Sequence, residues 1–205
     1  MNRIILLWAV LFVCGMPSAK AKQPVPTVGW DRHSLLIDGH RVCPVMGEVH
    51  YSRIPANEWP REVHKMKEGG VTMLATYVFW NHIEEQEGRF RWDGQRSLRD
   101  FLEVCRREEM PVVLRLGPFC HGEVRNGGLP DWLFEKGCRL RSTDSLFLSL
   151  TEKLYRQIFT QVQGLQWKDG GPVIAAQFDN EYRGRADYLM ALKRIALQVG
   201  FDLPF

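Results

Sequence analysis

Four short apolar runs, each followed by a stretch of helical periodicity, limit this chain more than any other feature. The runs are residues 45–49, 73–79, 112–116 and Val173–Phe178. After the first comes Trp59–Glu68, where Trp59, Val63, Met66 and the stem of Lys67 recur at helical spacing before Gly69-Gly70 stops the pattern. Residues 97–109 put Leu98, Phe101, Leu102 and Cys105 on one face. Residues 146–161 predict a third helix, and Ala186–Val199 a fourth, ended by Gly200. Strand and helix in strict alternation predict an α/β fold with a parallel sheet.

Two architectures satisfy that order, a doubly wound sheet and a (β/α)₈ TIM barrel. A nucleotide-binding doubly wound sheet carries a glycine-rich turn after its first strand. Here the first run is followed by His50-Tyr51-Ser52-Arg53. Polar and aromatic residues instead gather at the C-terminal end of every run: Glu48 and His50, Tyr77 and Asn81, Glu123, Asn180 and Glu181. A barrel places its active site at that face. A whole barrel takes eight strands and about 250 residues. Four strands in 205 residues therefore predict the first half of such a barrel, residues 22–205, with strands still to come beyond Phe205.

The first residues read as a leader. Arg3 precedes an apolar run over residues 4–16, too short to span a bilayer, and Ala19-Lys20-Ala21 is an A-x-A site. Cleavage after Ala21 and export, periplasmic or extracellular, are the expectation. A lipoprotein cut at Cys14 is the weaker rival, because Phe12 and Val13 are bulky where small residues are wanted. Loss of residues 1–21 removes Arg3 and Lys20 and no acid, which takes the formal charge from +3 to +1. Such a chain has no clustered cations to neutralise phosphates, so nucleic acid is excluded as a partner. No later run is apolar for long enough to span a membrane.

Ahead of the alternating region, Ser34 to Cys43 reads as a hairpin turning at Asp38-Gly39, preceded by a linker at Gln23 to Thr27. Cys43, Cys105, Cys120 and Cys138 follow no zinc spacing. They read as thiols, with a Cys120–Cys138 bridge as the alternative that an exported location permits.

The chemistry centres on Gln177-Phe178-Asp179-Asn180-Glu181-Tyr182. A carboxyl at a strand end, between an amide and a phenol, is placed to exchange a proton with a bound ligand, as a general acid must. The bland alternative is a surface glutamate opening a loop. The long loop at residues 117–132 is rich in glycine and carries His121, Gly122 and Glu123, and loops at this face bind substrate. A metal held by Cys120, His121 and Glu123 is disfavoured by their spacing. Tyr77 and Phe79 share a strand face. Trp80 reads as packing, Glu48 with His50 as a structural pair, and Glu84, Glu85 and Glu87 as solvated loop carboxylates, with Glu84 capping structure beside Asn81 as the alternative.

Six motifs in order carry a family resemblance across residues 36–205. Gly47-Glu48-Val49-His50-Tyr51-Ser52-Arg53-Ile54-Pro55 resembles Gly-Glu-Ile-His-Tyr-Phe-Arg-Ile-Pro of glycoside hydrolase family 35, the retaining β-galactosidases. Thr76-Tyr77-Val78-Phe79-Trp80-Asn81 is similar to its Thr-Tyr-Val-x-Trp-Asn, and Leu114-Arg115-Leu116-Gly117-Pro118-Phe119 to its Leu-Arg-Pro-Gly-Pro-Tyr. Gly127-Gly128-Leu129-Pro130-Asp131-Trp132-Leu133, Gly170-Gly171-Pro172-Val173-Ile174 and Gln177-x-x-Asn180-Glu181-Tyr182 complete the set.

The resemblance implies a barrel acting on terminal, non-reducing β-galactosyl groups of a glycan, without a cofactor or metal. It implies Glu181 as acid/base, Asn180 beside the sugar 2-hydroxyl, and Tyr77, His121, Gly122 and Glu123 as substrate-binding positions. It puts the nucleophile, a second glutamate, on a late strand beyond Phe205, so the 205-residue chain alone is expected to be inactive. The chain departs from the pattern at His121, where a smaller residue is common, and at Ile83, Glu85, Asp179 and Arg183. Two alternatives go with this reading: a noncatalytic sugar-binding derivative, and a related barrel glycosidase with another sugar specificity.

Overall fold

The structure, a computed structural model, describes residues 25–205. The leader, its cleavage site and Cys14 lie outside the described residues.

A small antiparallel sheet comes first, built from β1 (Val28–Trp30), β2 (Leu35–Ile37) and β3 (His40–Val42) in that order. The β2–β3 hairpin turns at Asp38-Gly39, both with positive φ (51° and 79°), the geometry that a two-residue turn between twisted strands requires. The last residue of the supposed linker is engaged, since Thr27 N donates to the Asp38 carboxylate at 2.7 Å, and β1, which follows it, pairs with β2. The same carboxylate accepts from Trp167 Nε1 at 3.2 Å, which ties this sheet to the turn before the last strand.

The second sheet is parallel, with strand order β4 (Met46–Glu48), β5 (Met73–Tyr77), β6 (Val112–Gly117) and β7 (Val173–Phe178). Helices α1 (Trp59–Glu68), α3 (Leu98–Arg107) and α5 (Ser145–Val162) connect successive strands, and α6 (Ala186–Val199) follows β7. Two one-turn helices, α2 (Trp80–Ile83) and α4 (Asp131–Phe134), sit in the loops after β5 and β6. Sequential order without a reversal decides between the two architectures. A doubly wound sheet needs a switch point, whereas a barrel adds each strand to the last. The described residues are four β/α units of a (β/α)₈ barrel.

The helices start where their caps dictate. Ser97 Oγ accepts from Asp100 N at the head of α3, and Asp144 accepts from Leu146 N and Phe147 N at the head of α5. Their apolar faces bury Leu98, Phe101, Leu102, Leu150, Leu154 and Ile158 against strand residues such as Leu74, Val112, Leu114 and Val173. Each such side chain contributes roughly 1.5–3 kcal/mol. Lys67 departs from the sequence reading: it is exposed, and its Nζ donates at 2.6 Å to Glu108 O, just past the end of α3, instead of lying along the core. Glu84 departs further. It is buried, not solvated, and accepts from Trp80 Nε1 at 2.5 Å and Gly88 N at 2.7 Å. All four cysteines of the described residues are free thiols, so the Cys120–Cys138 bridge does not form.

Candidate active site

Strand register sets the site. Tyr77 on β5 pairs with Arg115 on β6, and Arg115 with Gln177 on β7, so the three strands end level. Glu48 closes β4 beside them, opposite Ala75. The side chains of these four ends meet. Arg115 donates to the Glu48 carboxylate and, at 2.6 Å, to Asn180 Oδ1, and its guanidinium lies 3.7 Å over the Tyr77 ring. Tyr77 Oη donates to the same Asn180 oxygen at 2.8 Å.

Burial pushes the Tyr77 phenol well above its ordinary value, against the opposing pull of Arg115, so it stays a donor at neutral pH. Two donors on one oxygen fix the flip of the Asn180 carboxamide, which leaves its Nδ2 hydrogens for a ligand. Glu48 and His50 do pair, at 3.6 Å. The His50 ring lies 5.6 Å from Tyr77 and 5.2 Å from Phe79, and burial lowers its pKa below 6.5.

Glu181 stands one residue beyond Asn180, exposed, with φ at 46°. Asp179, two residues before it, is also left-handed, at 51°, and is fully buried. Its carboxylate accepts from Arg141 at 2.7 Å, from Tyr188 Oη at 2.8 Å and from Asn180 N at 2.6 Å. A buried charge with this set of partners is a fixture, and it grips the turn that carries Asn180 and Glu181.

The loop after β6 supplies the rim. His121, Gly122 and Glu123 all have positive φ (62°, 51° and 48°), and Arg53 holds the loop by donating to Gly122 O at 2.6 Å and Glu123 O at 3.1 Å. A Cβ on Gly122 would meet Phe79 at 2.9 Å, so glycine alone lets this backbone press against Phe79 and, beside it, Tyr77. The side chains of His121 and Glu123 are exposed. Cys120 is buried, with Sγ directed at Val78 O, and among the described residues these three do not form a metal-ligating group.

The structure therefore joins Tyr77 and Asn180 directly, sets Gly122 against the same aromatic face, and puts Glu181, His121 and Glu123 on exposed turns around them. Sequence reasoning assigned no role to Arg115, Arg53 or Arg141. The first two lie inside quoted motifs, at the end of β6 and after β4, which was a usable signal; Arg141 lies in none. Cavities of about 280 and 440 Å³ lie elsewhere, the first beside Met110, Trp167 and Pro172 and the second beside Val28, Ile174 and Leu203, away from the strand ends that carry Tyr77, Asn180 and Glu181.

The model of glycosyl hydrolases family 35 matches residues 34–201. A β-galactosidase of Xanthomonas manihotis is 35% identical over 192 residues, which cover 91% of this chain and 32% of that protein. β-Galactosidase 11 of Arabidopsis thaliana is 39% identical over 158 residues, 76% of this chain and 19% of its own. The β-galactosidase of Homo sapiens is 34% identical over 209 aligned residues, 98% of this chain and 31% of its own. The chain thus spans about a third or less of the length of these relatives.

Among solved structures, an exo-β-1,4-mannosidase from Opitutaceae bacterium strain TAV5 superposes on 78% of this chain and 30% of its own, with TM-score 0.58 and 16% identity. A β-galactosidase from the psychrophilic Marinomonas ef1 gives TM-score 0.50 and 14% identity over 67% of this chain and 21% of its own. At such identities the likeness is one of fold, and the fold is the barrel. On the family match and the identity to its relatives, the chain belongs to glycosyl hydrolase family 35.

Proposed function

We propose that this chain is the first half of the catalytic barrel of a retaining β-galactosidase that removes terminal, non-reducing β-galactosyl residues from a glycan. The observation that carries the reading is the Asn180–Glu181 pair at the end of β7, with the Asn180 carboxamide oriented by Tyr77 and Arg115.

Glu181 gives its proton to the glycosidic oxygen as the bond to the anomeric carbon breaks. A second carboxylate attacks that carbon from the opposite face and forms a glycosyl–enzyme ester. Glu181, now a carboxylate, takes a proton from water, which cleaves the ester and releases the sugar with its configuration retained. The Asn180 amide donates to the 2-hydroxyl, an interaction that strengthens as positive charge develops on the ring. The two carboxyls must stand about 5–5.5 Å apart. The nucleophile belongs to a later strand, so activity requires the barrel to be completed. His121 on the rim favours a second reading, in which the same barrel prefers another sugar. It is an exposed ring 6.3 Å from Phe119, at a position the family pattern fills with something smaller. The leader reading supports export of the protein. No helix among the described residues is long and apolar enough to cross a membrane.

The complete protein, assayed on aryl β-galactosides, β-glucosides, β-mannosides and β-glucosaminides, should cleave the galactoside fastest and release the β-anomer first, as read by NMR. Glu181→Gln should lower turnover of a phenyl galactoside by about 10²-fold or more. An unchanged rate in that variant refutes the assignment.

A further inference from the structure

Arg141 lies between α4 and α5, outside every motif quoted above. Its guanidinium nevertheless reaches the acid/base turn. One terminal nitrogen donates both to Asp179 Oδ1 at 2.7 Å and to Asn180 O at 2.6 Å, the carbonyl of the peptide that joins Asn180 to Glu181. Nε adds a longer contact to Asp179 Oδ2 at 3.4 Å. The same plane lies 4.0 Å over the ring of Phe119, in the rim loop, and 5.4 Å from the ring of Tyr182. From the other side Asp179 N donates to Gly117 O at 2.7 Å.

Two residues of this turn are held left-handed without being glycine, a conformation that persists only where the surroundings over-determine it. Tyr188 Oη donates to Asp179 Oδ2 at 2.8 Å and Gln177 Nε2 to Asp179 O at 3.2 Å, but of the side chains holding this turn only Arg141 spans Asp179 and the Asn180 carbonyl. A planar fork can serve a carboxylate and a carbonyl at once while stacking on a ring, which an ammonium cannot do.

We infer that Arg141 is a positioning residue for Glu181: it sets the aim of the general acid by clamping the peptide between Asn180 and Glu181. The inference rests on the assignment of Glu181 as acid/base. Misplacing an acid harms most those substrates that need protonation. The diagnostic is therefore the ratio of kcat/KM on phenyl β-galactoside, a poor leaving group, to that on 2,4-dinitrophenyl β-galactoside, which departs with little help. The fraction of folded enzyme cancels in this ratio, so loss of stability alone leaves it unchanged.

In the complete protein, Arg141→Gln should lower the ratio about tenfold, a part of the 10²- to 10⁴-fold that general acids supply. Arg141→Lys keeps the charge beside the buried Asp179, provides a second variant should the first fail to fold, and should lower the ratio in the same direction by less. A parent enzyme active on both substrates, with an unchanged ratio in either variant, overturns this inference alone. A parent that cleaves neither substrate overturns the galactosidase reading and this inference with it.

Discussion

Asn180 shows how little of a candidate binding residue is its own chemistry. A free carboxamide presents oxygen or nitrogen to a ligand with equal ease. Here Tyr77 and Arg115 both donate to the oxygen, so the nitrogen is left to face the open side of the site. Tyr77→Phe removes one of the two donors and leaves the ring under Arg115 in place. The bond is neutral on the tyrosine side, so its loss is worth about 0.5–1.5 kcal/mol. We expect kcat/KM on an aryl galactoside to fall roughly 2- to 12-fold as the carboxamide loses one of its two anchors, and the melting temperature to fall by a few degrees because the lost bond is buried; steady-state kinetics and a thermal melt check both. The Asn-Glu pair was legible in the sequence because it closes an apolar strand. The donors that orient it were not, because which residue of β5 or β6 meets position 180 depends on inter-strand register, and no local pattern encodes that.

At the scale of elements, the short helix α2 shows how a charged residue can be core. Trp80-Asn81-His82-Ile83 turns the chain away from the end of β5, and Glu84 ends the turn. Burial raises the Glu84 carboxyl pKa, opposed by the indole and by the Gly88 amide that donate to it. Glu84→Ala strands the buried Trp80 indole N–H, whereas the amide of exposed Gly88 can turn to water. The complete protein should lose about 1–3 kcal/mol in a denaturant titration, whereas Glu84→Gln, which keeps one acceptor, should lose less. In the sequence only its place beside Asn81 sets Glu84 apart from Glu85 and Glu87, enough to offer a structural cap as an alternative but not to show burial, since three acids near a glycine read as a solvated turn. The helices α1, α3, α5 and α6 were readable because a 3.6-residue apolar period is a property of the chain itself. Three-residue strands such as β1 are too short to carry a period, which is why nothing in the sequence marked that strand.

Across the whole molecule, two histidines link stability to pH. Burial lowers the pKa of His82, which bonds to Ser52 Oγ at 2.9 Å and is flanked by Arg53, Arg96, Glu85 and His50. His50 is lowered by the same cause. With folded values below the ordinary 6.5, the unfolded chain takes up protons first. The stability that depends on these neutral rings is complete above 6.5 and is lost as pH falls through the folded values. The melting temperature should therefore drop between about pH 7 and pH 5, and His82→Asn should flatten that drop; calorimetry across the range tests it, and an identical slope in the variant would count against His82. The sheet, too, is read only at this scale. Met46 on β4 is exposed, while Ala176 N on β7 donates at 2.9 Å to Pro204 O, so the segment after α6 already lies along that edge.

The alternation of strands and helices, the polar ends of the strands and the Asn180–Glu181 pair can all be read along the chain, because periodicity, strand ends and motif order are local. That Arg115, Arg141 and Arg53 converge on that pair and its rim, that Asp179 and Glu84 are buried, and that the cysteines stay apart emerges only from the folded arrangement. Each of those facts depends on which parts of the chain meet in space, and for buried charges that meeting determines whether desolvation is offset by a partner.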